Sequence, residues 1–470
     1  MPGMGQPAVE RLRKFLRELK PGARALLIAE LERAMLRGDD MAGAEFILTE
    51  LRRNIHESRS KSRRIGDHAR LFFKPIEPFI VDDTGDHKHR ARIARSALEP
   101  IWLWLSNTVM PDEARKFAEQ VETALLTDDS DKAQHLARAF QDSVLTRLQD
   151  QLATAASDDK VRRRMNVQLG TPRAPDDMKI LVGVLTARDQ LALLGGQLPG
   201  HIKTLAGASL ENVKAQLDAR LHSHPDMFVY SLVLTMSRLA AAWQLVRLAT
   251  KAAGSDVAAR IEETPYGVAV PIVLHEIARM VTELNADLKS GHGIAVGALL
   301  RDIHDALRGL RSELDLSGDS AWARQLAAIR ADISKLLSSE INLMPGRVRR
   351  LMRPRPAKEI APGSTVDAEE VAEAESLVGF VMACRNYASE LAINEITQRT
   401  FTELQQCLDA GTKTLLDVLR TSGDKERGFR QSQLDAAVRF CAKVFGQEYA
   451  SLLTKAADVA THGERKAARA

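Results

Sequence analysis

The sequence predicts an all-α protein, a multi-domain helical bundle built from antiparallel αα-hairpins. Three observations carry this expectation. Ala, Leu and Arg are abundant, and they lose little side-chain freedom in a helix. β-branched residues do not gather into strand-like runs. Apolar residues recur in long stretches at the i, i+3, i+4 spacing of one helical face.

The first stretch, Val9 to Met35, mixes charged with apolar residues and carries no signal-peptide core. From His56 to Arg64 there is no apolar residue, so that run reads as an exposed helix end or a loop. Pro75 and Pro78 exclude a continuous helix and point to an extended segment over 76–81. Pro111 followed by Asp112 and Glu113 reads as a helix start, with proline in the first turn and carboxylates at the positive dipole end. Gly170, Pro172 and Pro175 mark 156–177 as a linker.

Val296, Leu299, Leu300, Ile303, Leu307 and Leu310 draw one seam. Trp322, Leu326, Ile329, Ile333, Leu336, Leu337 and Ile341 draw the next, after a break at Ser317 to Asp319. Such a pair should fold as a hairpin of helices. Pro354, Pro356, Pro362 and Gly363 make a second linker. Asp367 with Glu370 fits a capping box. Leu434, Val438, Cys441, Phe445, Tyr449 and Leu452 draw a last stripe. The expected parts are an N-terminal helical domain over 1–156, a central bundle over 157–353, a proline-rich linker over 354–366, and a C-terminal hairpin or three-helix unit over 367–470.

Net charge is +4, from 66 basic and 62 acidic residues, which disfavours a whole-protein polyelectrolyte role. Cys384, Cys407 and Cys441 are far apart, and no CxxC occurs, so they read as reduced core thiols. The most apolar window, Met227 to Leu248, is interrupted by Arg238 and Arg247, which suits a buried helix and not a membrane span. The expectation is a cytoplasmic protein of bacterial type with no transmembrane segment.

The most distinctive stretch is 52–105. Arg59, Lys61 and Arg63 alternate with Ser58, Ser60 and Ser62, between Arg52 and Arg64, which suits phosphate contacts by guanidinium and hydroxyl groups. Lys88, Arg92 and Arg95 add a second basic stripe, and 347–358 a third. The bland reading of each is a solvated helix face. Phe72, Phe73, Phe79, Trp102 and Trp104 crowd the same stretch. Basic groups among aromatics can stack single-stranded bases, but such aromatics more often form a packing core or a docking point. Trp102 and Trp104 lie two positions apart and cannot share one narrow face. One of them is therefore expected to be partly exposed or packed against another domain.

Asp82, Asp83, Asp86, His87 and His89 are dense in ligand atoms, but their spacing fits neither a calcium loop nor a zinc set, so no metal and no cofactor is assigned. No phosphate-binding glycine loop and no nucleophile elbow is present. These readings favour a non-enzymatic scaffold or protein-interaction protein with an unknown protein partner, and leave room for a homo-oligomer. The alternative is a binder of nucleic acid or anionic lipid through 52–64, 88–95 and 347–358. A second alternative is an all-α enzyme with a dispersed acid and histidine site near 82–89.

Overall fold

A computed structural model describes residues 66–82, 90–170, 174–290, 293–316 and 319–467, with the single positions Leu27, Leu31 and Ile47. The chain is all-α. Its helices are α1 (Asp67–Phe73), α2 (Arg95–Trp104), α3 (Pro111–Leu126), α4 (Ser130–Ser157), α5 (Asp159–Leu169), α6 (Ala174–Gln197) and α7 (Gly207–Ser223). There follow α8 (Phe228–Met236), α9 (Val246–Ala253), α10 (Ala258–Glu262), α11 (Ala269–Ser290), α12 (Gly293–Glu313) and α13 (Ala321–Met352). The last are α14 (Ala368–Asn386), α15 (Asn394–Arg420), α16 (Asp424–Phe445) and α17 (Gln447–Ala467). The strands among the described residues are β1 (Ile80–Val81) and β2 (Ile93–Ala94), which pair in parallel. No described helix is long and apolar enough to cross a membrane.

Two compact units form. One comprises Met1–Arg279 with Gly309–Arg324, the other Met280–Arg308 with Gln325–Ala470. In the first, α3 packs on α4, and α4 packs on α1 and α6. Their shared core is aromatic. Phe117 and Phe140 stack with ring centroids 4.5 Å apart, and Phe72 and Trp102 meet both of these helices at tilted or edge-on angles. Such pairs add about 0.5–1.5 kcal/mol each beyond the area they bury. Trp102 and Trp104 are both buried, at 8% and 5% exposure. Of the two outcomes expected for one tryptophan, partial exposure does not occur; α5 packs on α2. There Gln168 Oε1 accepts a hydrogen bond of 3.0 Å from Trp104 Nε1.

The segment carrying α5 reads as a linker in the sequence, yet it is helical. Met165 and Leu169 are buried, and Gly170, at φ +68°, ends the helix in the left-handed region. Pro75 and Pro78 sit in a six-residue 3-10 turn, Lys74–Phe79, and only Ile80 and Val81 are extended. Farther along, Trp243 lies against the bare face of Gly309, where a Cβ would overlap its ring. The Arg247 guanidinium covers the same ring at 4.9 Å and pairs with Glu313 at 2.7 Å.

In the second unit α16 packs on α14, α15 and α17. Asp367 caps α14 by accepting from the Glu369 backbone N–H at 2.8 Å. The stripe through Phe445, Tyr449 and Leu452 is not one helix. Gly446, at φ +95°, separates α16 from α17, and Leu452 is 63% exposed. The proline-rich stretch after α13 is tied to α16. Gln433 Nε2 donates to the carbonyls of Leu351 and Arg353 at 2.7 and 2.9 Å, and Arg430 Nη2 donates to that of Arg355. Arg355 in turn lies over the Phe429 ring at 5.3 Å.

Two predictions follow from these contacts. Gln433→Leu strips both carbonyls of their buried donor and should destabilise the second unit by about 1–3 kcal/mol, read as a lower urea midpoint. His68 packs on Trp102 at 5.4 Å, and burial holds its pKa below the ordinary value against the pull of Asp67 and Glu122. The fold thus favours the neutral ring, and this contribution is complete above about pH 6.5 and is lost as pH falls through the depressed folded value. Comparing thermal midpoints of wild type and His68→Phe between pH 5 and 7 should show a steeper acid-side fall in the wild type, and equal slopes would refute it.

Candidate functional site

The first unit carries an open groove of about 760 Å³. Its walls come from the turn Lys74–Phe79, from α4, from α6 and from the residues just past α8. Each wall has a local cause. Pro75 and Pro78 hold the turn's backbone near one φ, which keeps that wall rigid. Phe79 turns inward, fully buried, and meets Tyr230 of α8 edge-on at 5.9 Å. Burial pushes the Tyr230 phenol up from its ordinary pKa. Gln141 of α4 donates to the Phe72 carbonyl at 2.8 Å, which ties the end of α1 to the groove floor.

The groove carries charge of both signs. Four cations line it, Lys74, Arg138, Arg188 and Arg238, together with three carboxylates, Glu77, Asp131 and Asp189. Arg138 of α4 reaches Asp189 of α6 at 2.7 Å, and Arg188 of α6 returns to Asp142 of α4. These crossed pairs join the two helices along one edge of the groove. Arg188 is only 11% exposed, and its Nε has no acceptor within bonding distance, with Asp189 at 3.8 Å. Arg238 is half-buried, and its guanidinium has no ion pair or hydrogen bond among the described residues.

The residues singled out in the sequence have varied positions. Arg52, Arg59, Lys61, Arg63, Arg64 and Lys88 lie outside the described residues, as do Asp83, Asp86, His87 and His89. Arg92 is largely buried and shares the Glu276 carboxylate with Arg279, at 3.2 and 2.9 Å. Burial lowers the Arg92 pKa, Glu276 opposes this, and Arg279 adds to it. Arg95 makes an exposed pair with Asp82 at 2.7 Å. Phe72, Phe73, Phe79, Trp102 and Trp104 are all buried. In the third basic stretch Arg347 pairs with Glu373. The groove's own arginines were missed. The one signal for them was Arg238, a charge interrupting the most apolar window of the chain.

No three metal-ligating side chains converge among the described residues. The thiols lie in the second unit. Burial pushes Cys384 far up, and burial with Asp409 pushes Cys441 up to about 12. Both stay protonated at neutral pH, where a thiol is a poor nucleophile. No known protein family's profile matches the chain, no curated protein aligns with it, and no solved structure shares its fold at a significant level.

The buried thiols make a direct prediction. At pH 8 a thiol reagent should label Cys384 and Cys441 no faster than the second unit opens, and urea should expose both at once. Rapid labelling of either in the native protein would contradict their burial.

Proposed function

We propose that this chain is a non-enzymatic helical interaction protein whose first unit docks partner polypeptides along the groove beside Lys74–Phe79. One observation carries the reading. The groove presents both signs of charge beside an apolar wall of Leu71, Pro75 and Pro78. A polypeptide supplies acidic, basic and apolar side chains together and can satisfy such a lining. A phosphate chain would bring like charge against Glu77, Asp131 and Asp189, and like-charge contacts count against a partner. The basic stretch at 347–358 also supports protein contacts more than phosphate contacts, because Arg347 and Arg355 already hold Glu373 and Phe429.

Panning the full chain against a random-peptide display library should enrich a recurrent sequence. The same protein should show no binding to duplex DNA, single-stranded RNA or phosphatidylserine vesicles at low salt, where phosphate-driven affinity is strongest. Tight low-salt binding to any of these, falling steeply with added salt, would move the function to the anionic-surface reading through 52–64 and 88–95.

A further inference from the structure

The groove's arginines differ in how the fold neutralises them. Arg138 and Arg188 hold carboxylates of their own unit, Asp189 and Asp142. Arg238 holds none among the described residues, although it is half-buried in the same lining. Desolvating a guanidinium without a counter-ion is unfavourable, so the position is one where an incoming carboxylate gains a strong, charge-assisted pair.

Arg238 is also held in place. Its backbone N–H donates to the Thr235 carbonyl at 3.0 Å, and its carbonyl accepts from Ile202 N at 2.7 Å. Its guanidinium runs along the bare backbone of Gly195 and Gly200, where added Cβ atoms would stand 3.6 and 3.8 Å away. The two backbone bonds fix where the residue sits, and its guanidinium donors are unused among the described residues. Arginine presents its donors in a planar fork that matches a carboxylate in two-point fashion.

We infer that Arg238 is the anchor for an aspartate or glutamate side chain of the partner polypeptide that lies in the groove. The inference rests on the docking role proposed above and adds to it the chemistry of the recognised segment. A polypeptide acid is favoured over a polyphosphate because Glu77 and Asp131 line the same groove. They would repel a string of anions, while a single acid with basic or neutral neighbours fits beside them.

The test starts from a peptide enriched by panning against the full chain, with affinity measured by fluorescence anisotropy. The peptide should contain an acidic residue. Replacing that residue by its amide should weaken binding about tenfold or more, with the protein itself unaltered. Arg238→Met should weaken the original peptide by a similar factor and leave the amide analogue unchanged. Arg238→Lys should retain part of the affinity, and Lys413→Met, on the second unit, should retain all of it. Should Arg238→Met not fold, Arg238→Gln takes its place, and unchanged affinity of that variant for the original peptide overturns the anchor. Enriched peptides without an acid, or an affinity indifferent to both the amide and Arg238→Met, would overturn the anchor and leave the docking role standing. A library that enriches nothing would overturn the docking role and the anchor together.

Discussion

An all-helical chain has one recurring debt, the polar backbone groups at each helix end and break that have no partner within the helix. Here buried glutamines satisfy several of them. Gln141, Gln244 and Gln433 are each about 95% buried, and all three bond to main chain. Gln141 takes the Phe72 carbonyl in the last turn of α1. Gln433 takes the Leu351 carbonyl in the last turn of α13 and that of Arg353 just beyond it. Gln244 spans the irregular stretch between α6 and α7, donating to the Lys203 carbonyl and accepting from Leu205 N at 2.6 Å. Glutamine suits this task because its amide offers donor and acceptor without the larger desolvation cost of a charge.

The same economy explains how the arginines are handled. A charge removed from water needs a partner, or it costs several kcal/mol. Arg247 has Glu313, Arg92 shares Glu276, and Arg430, only 4% exposed, has Glu426 at 3.1 Å and a backbone carbonyl. Each of these pairs joins or braces elements within a unit, so each reads as structure. Arg238 breaks the pattern. It is desolvated in part, positioned by its backbone, and left without a described counter-ion. That contrast, more than the bare presence of a cation, is what separates a binding group from a structural one in this chain.

Much of the fold was legible because its causes are local. Pro111 with two following acids marks the start of α3, and Asp367 caps α14, since both act over one turn. The seam of α12 appears as buried Val296, Leu300, Ile303, Leu307 and Leu310 for the same reason. The helix α5 was not legible. Gly170 and two prolines beyond it signal a linker, and the burial of Met165 and Leu169 against other elements, with Asp158 capping the start, explains the helix. The split at Gly446 was hidden because the apolar stripe continues past it in sequence. The groove was illegible for a deeper reason. Its walls come from four segments far apart in the chain, and the pairing of Arg138 with Asp189 or Arg188 with Asp142 exists only once α4 and α6 lie together.

The segment that first stands out in the sequence thus has two faces with different work. Phe79 and Ile76 point into the core and are fully buried, and Phe79 registers the turn against Tyr230 of α8. Lys74, Pro75 and Pro78 are more exposed and line the groove. Prolines suit the outer face because they fix φ without help from neighbours. The inner aromatics supply the binding energy that keeps the turn seated. The wall at Lys74–Phe79 therefore takes its shape from the core and not from a partner, so the groove exists before anything occupies it, and a partner meets a surface whose ordering cost has already been met by folding.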